Sequence, residues 1–466
     1  MAVSDATQSD VGVIGLDLIG RNVASRLAEH PFNVAACDWR PPKTLPLPEQ
    51  TTGPKVRLVA NISELMASLR QPRMVLVFSG THAPMNSVLD QLLPELKPGD
   101  LLADAGDSYF KDTARHDRQL AQRRIQFMGI GLAGGENGAR HGAIVMAGGE
   151  PEARERTRPL LAVMAATIGG DPCVSHSKSA AAAHFVKMVH AGVEFALLQL
   201  LSETFDLLQR SLRLTDEKWQ HASGASQIAV LNGYLREISG RVFEPVDDQP
   251  PRLFLEQELG SAKNEAPLRW VAPSAWESEV PIPTIEAAVG TERVAAAEQR
   301  QALLAAPFRQ PVGRLKNDPE SVLNELHGAF HAAMMITYAQ GMALLIAASK
   351  LHGFDFNLHE ISRTWRGCTH LRTSLLDDIA TALQATPDLP GLLSDADLSE
   401  RVMACQEDLR HAVWRAHELD TVVPALHASL DYLDTNRAAW LPANLIQAPR
   451  RQPAWGAAHR GQIYSA

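Results

Sequence analysis

The chain of 466 residues is 45% hydrophobic and 6% aromatic, and its 44 Lys and Arg against 53 Asp and Glu leave a formal net charge of −9. That length can hold two or three domains with a substantial core, while the acidic balance excludes an unassisted binder of nucleic acid or acidic membranes. No uninterrupted apolar stretch reads as a membrane span, and Cys37, Cys173, Cys368 and Cys405 stand apart without metal-ligand spacing, so reduced thiols, a cytoplasmic location and no metal site are expected.

Residues 1–10 are polar, lack the apolar centre of a signal peptide and read as a short disordered lead. From 11 to 180, short apolar runs alternate with helical patterns. Val11 to Leu16, Asn33 to Asp38, Met74 to Ser79 and Asp100 to Ala105 read as buried strands of a parallel sheet. The alternation predicts a Rossmann-type doubly wound α/β domain. Gly12, Gly15 and Gly20 fall at the turn after the first run, where glycines let a backbone approach a pyrophosphate at a helix N-terminus. Gly12, Gly15, Leu18, Ile19 and Gly20 are therefore expected to hold a dinucleotide, together with Asp38, Trp39 and Arg40 after the second strand. Phe78, Ser79 and Asp107, after the later strands, complete that set.

Asp38 ends its strand, where a carboxylate accepts both ribose hydroxyls and repels a 2′-phosphate; it favours NAD over NADP, although Arg40 could reach a phosphate. Asp17 is discordant. A carboxylate beside the pyrophosphate repels it unless the side chain turns outward or pairs with Arg21 or a metal.

After Ala180 the strand signals stop, and long helical runs such as Ala182 to Gln209 and Leu323 to Ser349 predict an all-helical substrate and dimerisation domain over 181–441. Within AAHFVKMVHAGVEF, Lys187, His190 and Glu194 recur at spacings of three and four and share one helix face. Such spacing is common on solvated, ion-paired faces. Here the flanking residues are too apolar for that, and a buried amine, imidazole and carboxylate on rigid backbone could share the proton transfers of one reaction. Residues around Pro307 to Val312 read as a surface loop, and 442–466, with Pro449, Pro453, Gly456 and Gly461, as a non-helical C-terminal tail.

The helix run resembles HFVKMVHNGIEY of the 6-phosphogluconate dehydrogenases. DAGDSYFKDT (104–113) resembles that family's DGGNSxYxDT, and GLAGGENGARHG (131–142) its GSGVSGGEEGARxG. TYAQGM (337–342), WRGCTHLR (365–372) and ANLIQAPR (443–450) are similar to SYAQGF, WRGGCIIR and NLLQAQR. The resemblance implies that Lys187 takes the proton of the substrate hydroxyl while hydride leaves to the cofactor, and that Glu194 protonates the enol after CO2 departs. It places His190, Gly134 and Gly135 beside the substrate. It also implies a homodimer whose tail crosses to the partner's site, with Arg450 or Arg451 and His459 supplying contacts.

Several positions depart from the family. Its Asn is Asp107, its Ser is Ala133, its second Asn is Ala191 and its Tyr is Phe195. Its Lys-Trp-Thr aligns with Arg269-Trp270-Val271, leaving Arg269 as the candidate phosphate contact, and a further Arg falls near Glu292 or Arg293. In the nucleotide loop Asp17 replaces an Ala, and Phe78 replaces a Lys. Retained acid–base groups with altered binding groups predict an NAD-dependent oxidoreductase acting on the secondary alcohol of a sugar, polyol or nucleoside-like substrate, with 6-phosphogluconate a poor one. Two alternatives stand beside it. One is a redox-neutral dehydratase or epimerase working through transient oxidation; the other is a non-catalytic dimeric scaffold that no longer holds nucleotide.

Overall fold

The computed structural model describes residues 8–39, 56–79, 85–212, 267–295, 318–367 and 375–441. Four expected strands are present, trimmed to β1 (Val11–Ile14), β2 (Val34–Cys37), β4 (Met74–Val77) and β5 (Leu101–Asp104). Sequence patterning missed β3 (Val56–Leu58), β6 (Gln126–Ala133), β7 (Ile144–Gly149) and β10 (Val174–Ser177), and a small pair, β8 (Thr167–Ile168) with β9 (Asp171–Pro172). The main sheet has the order β10-β7-β6-β5-β4-β1-β2-β3. The four expected strands pair parallel as predicted, and the sheet is extended by β6, by β7, which pairs antiparallel to β6, and by β10, which is parallel to β7. Glycines and a polar His176 hide these strands, which lack a continuous Val/Ile/Leu run.

Helices α1 (Leu18–Glu29), α2 (Ile62–Ser68), α3 (Met85–Leu92), α4 (Phe110–Ala121), α5 (Gly135–His141) and α6 (Pro151–Met164) intersperse the strands. No described residue after Ser177 is in a strand; helix α7 (Ala180–Leu212) begins the helical part. It is followed by α8 (Leu268–Glu277), α9 (Pro283–Ala295), α10 (Pro319–His352), α11 (Leu358–Trp365), α12 (Leu375–Ala385), α13 (Ala396–Ala404), α14 (Gln406–Glu418) and α15 (Pro424–Arg437). By length and composition α7 and α10 could each cross a membrane, contrary to the sequence expectation, but their apolar windows are 67% and 78% buried in the fold, as for core helices. The loop at 307–312, the tail at 442–466 and Cys368 lie outside the described residues.

The two layers meet where α7 lies on the glycines of β6 and β7. A Cβ at Gly129 would come within 2.2 Å of the Ala180 carbonyl oxygen, one at Gly148 within 2.1 Å of that of Ser179, and one at Gly131 within 2.5 Å of the Lys187 Cβ. At the far end of α7, the buried Glu203 carboxylate accepts from the Ala425 and Leu426 N–H groups, both at 2.9 Å, and so caps α15. Burial raises the Glu203 pKa, against which these bonds act.

The Gly131 contact is with the rigid base of a side chain, so no rotamer change relieves it. Gly131→Ala is therefore expected to cost about 2 kcal/mol or more by overpacking and to depress turnover by moving Lys187. Thermal melting and steady-state kinetics check this; a variant with unchanged melting and turnover would sink the claim.

Candidate active site

A single cleft of about 360 Å³ joins the carboxyl ends of β1, β4 and β5 to α7. Asp17 and Ile19 reach it from the β1–α1 turn, Phe78 and Ser79 from the end of β4, and Gly106 and Asp107 from the end of β5. Gly134, Gly135, Lys187 and Glu194 line the other side. This is the crevice at strand carboxyl ends where open α/β sheets bind ligands. The expected residues Ile19, Phe78, Ser79, Asp107, Gly134, Gly135, Lys187 and Glu194 thus come together. Leu132, Leu198 and Pro267 also line the cleft and were not anticipated. Leu198 had a signal, since it follows Glu194 by one helical turn; Leu132 lay on the unrecognised β6.

Other expected residues are placed elsewhere. Gly12 is inside β1 rather than in the loop; a Cβ there would come within 2.7 Å of Leu65, so it serves helix packing. Leu18 starts α1 but is exposed and off the cleft wall, as is Arg269 on α8. Asp38 and Trp39 follow β2, outside the cleft, with the Asp38 carboxylate accepting from the Trp39 N–H at 2.8 Å. Arg40, Arg450, Arg451 and His459 lie outside the described residues.

The loop itself is tightly closed. Gly15, at φ +93°, packs so near β4 that a Cβ would fall 2.1 Å from the Phe78 carbonyl oxygen, and one at Gly20 would fall 1.9 Å from that of Gly15. This geometry suits a dinucleotide whose pyrophosphate meets the start of α1, with one discordant group. The Asp17 carboxylate neither turns away nor pairs with Arg21. It caps α1, accepting from the Ile19 and Gly20 N–H groups at 3.2 and 3.0 Å. Arg21 instead reaches Glu136 at 3.4 Å.

On α7, Lys187 and Glu194 face the cleft, but His190 does not. It is buried against Trp365, ring centroids 5.1 Å apart and edge-on, with Nδ1 3.7 Å from a Glu194 oxygen, too far for a hydrogen bond. Among the described residues, the His190 Nδ1 and Trp365 Nε1 atoms have no hydrogen-bond partner. Burial pushes the His190 pKa down to about 4; Glu194 opposes that shift and Lys187 adds to it. His190 therefore lies behind the reacting face as a neutral ring. One turn before Lys187, His184 ties α7 to the sheet: its Nε2 donates to the Asp104 carbonyl at 3.2 Å, and its Nδ1 accepts from Thr113 at 2.7 Å. No sequence pattern signals this link.

Residues 10–176 match the family described as "NAD binding domain of 6-phosphogluconate dehydrogenase" and residues 183–457 that described as "6-phosphogluconate dehydrogenase, C-terminal domain". The decarboxylating 6-phosphogluconate dehydrogenase of Synechocystis sp. is 34% identical over 454 residues, covering 96% of this chain and 94% of its own. The NADP(+)-dependent enzyme of Bacillus subtilis is 32% identical, covering 95% of each chain. Among solved structures, Plasmodium falciparum 6-phosphogluconate dehydrogenase, described as apo, with NADP+ and with 6-phosphogluconate, superposes with a TM-score of 0.85 at 26% identity over 96% of each chain.

The buried neutral imidazole gives a stability signature. His190 has a folded pKa of about 4, below its ordinary 6.5, so between those values the unfolded chain binds a proton that the folded chain refuses. Its contribution is fully present above pH 6.5 and is lost as pH falls toward 4, on the order of 3 kcal/mol in all. Denaturant titrations across this window should show a shallower pH slope for His190→Gln than for the wild type. Parallel slopes would contradict the assignment.

Proposed function

The chain belongs to the 6-phosphogluconate dehydrogenase family, and from that footing we propose an NAD-dependent dehydrogenase of secondary alcohols. Its substrate is a sugar, polyol or nucleoside-like molecule less anionic than 6-phosphogluconate. The observation that carries this reading is the shared cleft: Lys187 and Glu194 open onto the same space as Ile19, Phe78 and Ser79 of the nucleotide side.

A bound nicotinamide would supply the hydride acceptor. Lys187, as the amine, takes the hydroxyl proton as the carbinol carbon loses hydride, and Glu194 is the proton donor for any enol that forms next. Asp107, at the mouth of the cleft, accepts hydrogen bonds from substrate hydroxyls. The loop around Gly15 and Gly20 receives the pyrophosphate and Asp38 the adenosine ribose.

Charge supports the choice of substrate. The described cleft wall carries three acidic side chains, Asp17, Asp107 and Glu194, against one basic side chain, Lys187. 6-Phosphogluconate brings both a phosphate and a carboxylate into that wall. A like-charge pair about 4 Å apart costs about 4 kcal/mol at the effective dielectric of a partly exposed site. The neutral Asn of relatives becomes Asp107, adding one such repulsion.

Lys187→Met is expected to lower kcat by roughly 10²–10⁴-fold while leaving NAD binding within about threefold, well under the tenfold that 1.4 kcal/mol makes. Unchanged turnover would remove Lys187 from the reaction. Wild-type kcat/KM for 6-phosphogluconate should lie at least about 100-fold below that for the preferred polyol or nucleoside; efficient NADH or NADPH formation from it would defeat the substrate reading. NAD should bind about tenfold more tightly than NADP, and the reverse order would put this chain with its NADP-using relatives.

A further inference from the structure

We propose that Asp17 sets the dinucleotide affinity of this chain by holding, with its own carboxylate, the amides that an incoming pyrophosphate must take. The inference rests on the reading of the cleft as a dinucleotide site, and it concerns a side chain that already occupies part of it.

The first N–H groups of a helix have no intrahelical partner, and they are the donors on which helix-terminal phosphate sites depend. In α1 those of Ile19 and Gly20 are engaged by one Asp17 oxygen, at 3.2 and 3.0 Å. Asp17 also lines the cleft beside Ile19 and Phe78. A pyrophosphate arriving there meets donors already used and a negative charge facing it.

Among the described residues, the neighbouring Arg21 and Asn22 side chains are directed toward Glu136. Arg21 reaches Glu136 at 3.4 Å, and the Asn22 amide donates to the Leu18 carbonyl at 2.7 Å and to Glu136 at 3.3 Å. Gly15 and Gly20 lie so close to backbone oxygens that neither position has room for a side chain. The exposed Asp17 side chain is the part free to move. Dinucleotide binding is thereby coupled to uncapping α1: the carboxylate rotates into solvent and the pyrophosphate replaces it as the cap.

The test separates charge from capping. Asp17→Ser and Asp17→Asn both retain an N-cap acceptor and remove the charge; thermal melting verifies that each full-length variant is folded. Calorimetric titrations of wild type and both variants are made with NAD, NADP, ADP-ribose and adenosine. NAD and ADP-ribose, which carry the pyrophosphate, should bind both variants about tenfold or more tightly than wild type. Adenosine should bind all three alike, and the gain should shrink in about 0.5 M salt, where the Debye length falls below 5 Å. Equal NAD affinity in all three proteins overturns the role of Asp17 and leaves the dinucleotide reading intact, as does a gain that extends equally to adenosine. No binding of NAD or NADP to any of the three folded proteins overturns both.

Discussion

The close seating of α7 on the glycines of β6 and β7 is the constraint on which the rest of the site depends. Packed layers of secondary structure are normally held apart by the side chains between them, about 10 Å for two stacked sheets. Here Gly129, Gly131 and Gly148 let backbone meet backbone, and Lys187 is lowered against β6 by its own Cβ. That contact sets the height of the lysine above the sheet. The His184 bonds to Asp104 and Thr113 set its position along the sheet, tying the turn before Lys187 to the end of β5. Glu203 fixes the other end of the same helix under α15. A single 33-residue helix thus carries the two proposed reacting groups and the anchors that keep them still.

Electrostatics divides the cleft. The proposed chemistry needs one amine and one carboxyl group, and α7 presents Lys187 and Glu194 to the cleft. Its wall carries Asp17 and Asp107, where the family pattern that this sequence resembles has Ala and Asn. Both substitutions lie at strand or helix ends, positions that can change charge without disturbing the core. Selection on ligand charge can therefore act there while the catalytic helix stays as it is. A drifting scaffold would have no reason to keep Lys187 and Glu194 on one wall while altering only the residues around them.

Much of this was legible in the sequence, for identifiable reasons. The strands β1, β2, β4 and β5 announce themselves as apolar runs between turns, and the spacing of Lys187 and Glu194 requires that they share a face of α7. What stayed hidden depends on contacts between distant segments. The β6 glycines look like strand breakers until the helix that needs them is in place. Gly12 sits near the glycine loop in sequence, yet only the packing of Leu65 shows that it belongs to the sheet. Asp17 was visible as an anomaly, but its resolution lay in two backbone amides that sequence cannot orient. His190 shares the spacing of its neighbours, and only Trp365, brought from far along the chain, shows that it faces away.

That last contact bears on how the reacting pair is balanced. Three ionisable groups within two turns of helix would create competing charge states if all met water. Burial against Trp365 holds His190 neutral, with its pKa at about 4, so it adds no charge of its own to this part of α7. Among the described residues, the imidazole Nδ1 and the indole Nε1 remain without partners behind the cleft, which makes this polar layer costly to keep. An apolar residue at 190 would remove part of that cost. The neutral ring keeps a polar face 3.7 Å from Glu194, close enough to form a hydrogen bond after a small shift of the carboxyl group when a ligand enters. In the proposed reaction the buried histidine would orient Glu194, with proton transfer left to Lys187 and Glu194.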